Sequence, residues 1–256
     1  MKIFKIIILI SICFTSCQKV IDLKLNTSSS QIVIKGNIYD QAGPYTVTIS
    51  KSVNFDESNN FPTVTGAIVI INDNVGNIDT LKETASGTYV TSALQGIPGR
   101  TYALTVITNG QTYNASSTMP DAVEIDSTYF EKSMFGNDKQ LTIEFKDPAN
   151  SENYYRIIQY VNDKQQDGFN VTSDKIYEGK TISYSLRSDN KLDVGDKITV
   201  WLECVDKGVY EYFRTASSQS ETSSSPSNPT SNISNRALGY FNACSIRKIS
   251  LVMTMN

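Results

Sequence analysis

Three observations predict a mainly β chain: short runs in which apolar and polar residues alternate, turn-forming residues between those runs, and a single helical period near the carboxyl end. With 256 residues, 39% of them apolar, the chain can bury one large core or two ordinary ones. The pattern divides best into two β-rich domains, residues 17–119 and 120–256, behind a leader of residues 1–16.

The leader comes first. Lys2 and Lys5, the apolar residues 6–12 and the small residues before Cys17 form the three regions of a secretory signal. The apolar run is too short to span a bilayer, which takes about 20 residues. A cysteine at the cut makes this the signal of a lipoprotein, with Cys17 acylated; an ordinary cleaved secretion signal is the alternative. Two or more acyl chains, at about 0.8 kcal/mol per buried methylene, hold a soluble domain on a membrane. Phe14 departs from the leucine usual three residues before the cut. Ile21, Leu23 and Leu25 then alternate with polar residues as a half-buried strand, which leaves only a short tether.

Strand-like runs follow at 32–39, 45–51, 67–72, 77–83, 88–91, 101–108 and 111–118. The breaks carry turn chemistry, above all Asn109-Gly110, whose tolerance of positive φ suits a two-residue hairpin. Seven short strands with such turns predict an immunoglobulin- or transthyretin-like sandwich. Residues 53–65, with Asp56, Glu57 and Pro62, form its longest loop. Met119-Pro120-Asp121 marks the boundary. Beyond it, 123–130, 140–146, 154–161, 181–186 and 197–205 read as strands of a second β-rich domain. Asp206 caps one short helix from about 208 to 219, in which Val209, Phe213 and Ala216 share a face. The Ser/Pro-rich residues 217–235 read as a long loop over this second domain, because 237–241 and 246–253 behind it look like a closing strand.

Charge and residue usage exclude several function classes. Without Lys2 and Lys5 the exported chain keeps 21 basic against 26 acidic residues, a net −5 that argues against a nucleic-acid partner. There is no histidine, and so neither the commonest general base nor the usual zinc ligand. Cys13 leaves with the leader and Cys17 is acylated, so only Cys204 and Cys244 remain, either as a disulfide or as two buried thiols.

One further pattern spans nearly the whole chain. The leader cysteine with Val20-Ile21-Asp22-Leu23 is followed by Ile32-Val33-Ile34-Lys35-Gly36, then Val47-Thr48-Ile49-Ser50-Lys51-Ser52, Gly66-Ala67 and Gly99-Arg100-Thr101-Tyr102-Ala103-Leu104. Asn228-Pro229, Ser231-Asn232-Ile233 and Ala237-Leu238-Gly239-Tyr240-Phe241 close the series. In order and spacing these motifs resemble the domain of unknown function 4249 lipoproteins of Bacteroidota. A glycine usual just before Ala-Leu-Gly-Tyr-Phe is replaced here by Asn235-Arg236. The resemblance implies an outer-membrane lipoprotein, often encoded beside a TonB-dependent receptor, and carries over no catalytic residues.

Candidate chemistry is sparse. Asp73, Asn74, Asn77 and Asp79 offer oxygen ligands to calcium, but a hairpin turn uses the same residues without metal. Asp56 with Glu57, and Asp147 with Glu152, are conceivable acid–base pairs for glycoside hydrolysis, although acidic loops are commoner. Tyr154, Tyr155, Tyr160 and Trp201 belong to strands. Tyr210, Tyr212, Tyr240 and Phe241 are the candidate ligand or partner surface. The expectation is a protein that acts by binding, without catalytic residues, metal or cofactor. It would sit in the outer membrane on acylated Cys17, facing the periplasm or the cell surface, as an accessory to a TonB-dependent receptor. A structural or adhesive surface protein is the alternative, and an enzyme the third reading.

Overall fold

The computed structural model describes residues 29–54, 57–133, 138–219 and 228–254. The acylation site Cys17 and the strand expected around Ile21 lie outside them.

In the first half, β1 (Ile32–Tyr39), β2 (Thr46–Lys51), β5 (Lys82–Ala85) and β6 (Thr88–Val90) form one layer. The other is β3 (Ile68–Asp73), β4 (Ile78–Thr80), β7 (Thr101–Thr108) and β8 (Gln111–Thr118), in the order β4-β3-β7-β8. Alternation along β1, β2, β3 and β7 turns Ile34, Val47, Ile71, Leu104 and Val106 into a core that also holds Tyr89 and Tyr102. The single strand expected at 77–83 is two. Leu81 is buried in the core, and the chain passes there from one sheet to the other. Asn109 and Gly110 take φ of 50° and 71°, the left-handed pair that the β7–β8 hairpin requires.

The second half repeats the plan. A sheet of β9 (Ser127–Lys132), β10 (Lys139–Lys146) and β14 (Thr181–Leu186) faces β11 (Tyr154–Val161), β12 (Lys164–Gln165), β13 (Asn170–Ser173) and β15 (Lys197–Val205). Leu141, Ile143, Phe145, Ile157, Val200 and Leu202 fill the space between. The strand expected from 123 begins only at Ser127, with Val123 packed as a core residue ahead of it. Helix α1 (Lys207–Gln219) follows β15 and lies on the outer face of this second sheet, through Val209 and Phe213.

The two closing segments are one strand, β16 (Leu238–Val252), which changes partner in the middle. Residues 238–244 run parallel to β1, whereas 245–252 run antiparallel to β15. The halves therefore share a nine-stranded sheet. Phe241 and Ala243, with Ile233 and Ala237 just ahead, enter the first core, so that core draws on residues beyond 120. Of the segment ahead of β16, residues 233–235 lie along β8, where Ile233 bridges Ala115 and the Ser234 hydroxyl accepts the Asn114 N–H at 2.8 Å, whereas the Thr230 N–H donates to the Thr215 hydroxyl on α1 at 2.9 Å. Two features fix this junction. Gly239 has φ +93°, and a Cβ there would collide with the Ile34 carbonyl oxygen. Arg247 pairs with Asp40 at 2.8 Å and also with Glu124, tying β16 to both halves.

Candidate functional site

The helix that positions the site is set by its cap. Asp206 Oδ1 accepts the Val209 N–H at 2.9 Å. Its Oδ2 accepts the Ser117 hydroxyl at 2.5 Å and the Thr118 N–H at 3.2 Å, so one carboxylate starts α1 and fastens it to β8.

Beneath α1 lies a buried ion pair. Arg156 on β11 and Glu203 on β15 are directly opposite in register, and their side chains meet at 3.0 Å, 12% and 0% exposed. The guanidinium carbon lies 3.9 Å from the centre of the Phe213 ring, so the helix stacks on the cation. Burial pushes the Glu203 carboxyl up, against the pull of Arg156. Glu203 Oε1 has no hydrogen-bond partner among the described residues. Phe213, Tyr212 and Tyr240 pack around the pair with centroids 4.8–5.1 Å apart.

At the amino end of α1 a groove of about 910 Å³ opens between the helix, β13 and the loop of residues 150–152. Tyr154 and Tyr210 stack at its wall with centroids 4.8 Å apart. Glu152 accepts the Tyr154 hydroxyl at 2.9 Å and lies 3.7 Å from Lys207. Glu211 pairs with Arg214 at 2.6 Å. On the opposite wall Asp174 accepts the Asn153 N–H at 2.8 Å. Burial, together with the charges of Asp147, Glu178 and Glu152, pushes its carboxyl up. Burial and then Glu152 push the Tyr154 hydroxyl up to about 12, so it donates and does not ionise. The groove thus offers aromatic faces and charged side chains of both signs within one concavity.

Of the candidate surface residues, only Tyr210 reaches this groove. Tyr212 and Tyr240 are half-buried against each other. Phe241 is fully buried in the first core, because neighbours on β16 point to opposite faces. Cys204 and Cys244 are free and buried. Cys204 pairs in register with Ser245, so Cys244 points to the other side of the sheet, and the two thiols lie in different cores. Asp147 is buried and accepts the Tyr155 hydroxyl at 2.5 Å and the Gly179 N–H at 3.1 Å, whereas Glu152 is exposed, and no hydrogen bond joins them. Asp56 lies outside the described residues, and Glu57 accepts from Asn54 at 2.9 Å. Asp73 accepts from Val75, Asn77 and Arg100, and Asp79 from Ser92, Ala93 and Leu94. Their oxygens staple loops of the first sandwich. The Arg156–Glu203 pair went unread in the sequence, though two charges of opposite sign inside strongly apolar strands were its signal.

No helix among the described residues is long and apolar enough to cross a membrane. Comparison with curated proteins gives no match. Among solved structures the chain is similar to the Yersinia pseudotuberculosis adhesin InvE, with 18% identity and a TM-score of 0.23, covering 68% of this chain and 55% of that one. The chain therefore spans little more than half of that protein's length. A family profile described as Domain of unknown function (DUF4249) matches residues 18–250. With nearly its whole length matched, the chain belongs to the DUF4249 family.

Proposed function

We propose that this is an exported, acyl-anchored outer-membrane protein that acts by binding, and that it serves a TonB-dependent receptor as an accessory. The groove beside α1 carries the proposal: stacked Tyr154 and Tyr210 with charges of both signs suit a polar peptide or loop segment of a partner. The leader ending at Cys17 supports the anchor. The absence of histidine, and the burial that pushes the Cys204 thiol up to about 11, support binding over catalysis.

The test is gentle extraction of native membranes carrying the tagged chain, with mass spectrometry of what co-purifies. A stoichiometric β-barrel receptor, lost in Tyr210→Ala with Lys207→Glu, is the expected result. The tagged chain purifying alone in several growth conditions would move the weight to a structural or adhesive role.

A further inference from the structure

We propose that the groove beside α1 takes a cationic side chain of its occupant, a lysine ammonium or an arginine guanidinium, seated on Asp174 against Tyr154 and Tyr210. This deepens, and rests on, the reading of the groove as the partner site. Asp174 follows β13 directly. Its backbone N–H donates to the Asn153 carbonyl at 3.1 Å, and its Oδ2 accepts the Asn153 N–H at 2.8 Å. These two bonds fix the residue at the end of the β11–β13 ladder and leave Oδ1 without a hydrogen bond among the described residues. The side chain lines the groove and is only 6% exposed. Among the described residues no lysine or arginine pairs with it, the adjacent Lys175 included. Lys207 and Arg214, on the helix wall, are engaged with Glu152 and Glu211. Burial, and then the charges of Asp147, Glu178 and Glu152, work against its ionisation. A carboxylate buried among other acids ordinarily has a counter-charge, and here the place for it is open to the groove.

Three observations select an organic cation. Tyr154 and Tyr210 are half-buried, and their ring faces attract ammonium and guanidinium groups. The apolar stem of lysine or arginine can lie along such rings while its charged head reaches a carboxylate. A metal ion does not fit, because among the described residues no three acidic groups converge closely enough to hold one. Glu178 instead accepts the Asn150 N–H at 3.2 Å, spreading the negative charge along the groove. An acidic occupant would meet like charge at a carboxylate that its two backbone bonds keep from turning away.

The test titrates the full chain in mild detergent against a dye-labelled, amidated hexapeptide of alternating glycine and arginine, read by fluorescence anisotropy. A twin peptide with citrulline for arginine keeps the shape and loses the charge. The arginine peptide should bind roughly tenfold tighter than its twin. Asp174→Asn keeps an acceptor for the Asn153 N–H and should weaken binding of the arginine peptide by roughly tenfold, and Tyr210→Ala by roughly threefold. Asp121→Asn, the same change of net charge at an exposed position outside the groove, should leave binding as it is. Melting temperatures verify that each variant is folded, and Glu178→Gln, on the exposed rim, gives a second reading of the same end of the groove, with a loss of roughly threefold. Equal binding of the two peptides, equal losses at Asp174 and Asp121, or release of the peptide by one equivalent of calcium would each overturn the proposal. A chain that co-purifies with a receptor yet ignores the arginine peptide overturns the cation seat alone. A chain that purifies by itself yet binds the peptide through Asp174 upholds the seat and removes the receptor.

Discussion

Replacing Arg156 by methionine keeps most of the side-chain volume under Phe213 but strands Glu203 in the sheet. Glu203 is 0% exposed, it pairs with Arg156 at 3.0 Å, and its second oxygen has no hydrogen-bond partner among the described residues. Removing one member of such a pair typically costs about 3–5 kcal/mol. For a chain of this size that is roughly a 6–20 °C fall in melting temperature. The loss depends on pH with a definite sign. Burial raises the folded carboxyl above its ordinary 4.5 even with the cation present, and removing the cation raises it further. Above 4.5 the unfolded chain releases a proton that the folded variant retains, so stability falls as pH rises through the raised value and recovers as pH is lowered. Urea unfolding at pH 5 and pH 8 reads this directly. The variant should lose more against the parent at pH 8 than at pH 5, and adding Glu203→Leu should restore part of the loss at pH 8. Equal losses at both pH values, or a double variant weaker than the single, would refute the account of Glu203 as a stranded charge.

Three other outcomes are expected. Asp206→Ala removes the cap of α1 and its fastening to Ser117 and Thr118, and should cost about 1–2 kcal/mol in denaturant unfolding, with hydrogen exchange rising first in 207–211. Arg236 holds φ +58°, a left-handed backbone that glycine adopts without a side-chain clash, so Arg236→Gly should raise stability by about 1 kcal/mol; a lower melting temperature would contradict this. Cys204 and Cys244 should resist maleimide in the native chain and react only after unfolding, as mass spectrometry of their peptides would report.

Most of the fold was legible because strands such as β1, β2, β3 and β7 are half-buried and so alternate, and because Asn109-Gly110 spells out its own turn. One misreading and one omission have a common cause. Leu81 reads as one more inward residue of a strand, and 237–241 with 246–253 as a closing strand without sign of a partner change, yet Leu81 and the Cys244–Ser245 step are points where the chain changes partner. Periodicity reports which way a side chain faces and is silent about which neighbour its backbone joins. The same limit hid the site. Tyr210 and Phe241 are equally aromatic in the sequence, but one lines a groove and the other is fully buried. The charges around Tyr154 come from separate turns that only the fold collects.

The partner change within β16 also sets how the protein carries load. Its first part and β1 run in the same direction through seven registered pairs, from Val33 with Leu238 to Tyr39 with Cys244. A pull on the amino end of β1 against the second sandwich draws the two strands past each other lengthwise. The hydrogen bonds between them then share the force and must yield together, whereas peeling would break them one at a time. The chain closes with a seam loaded in shear along the line between β1 and the second sandwich.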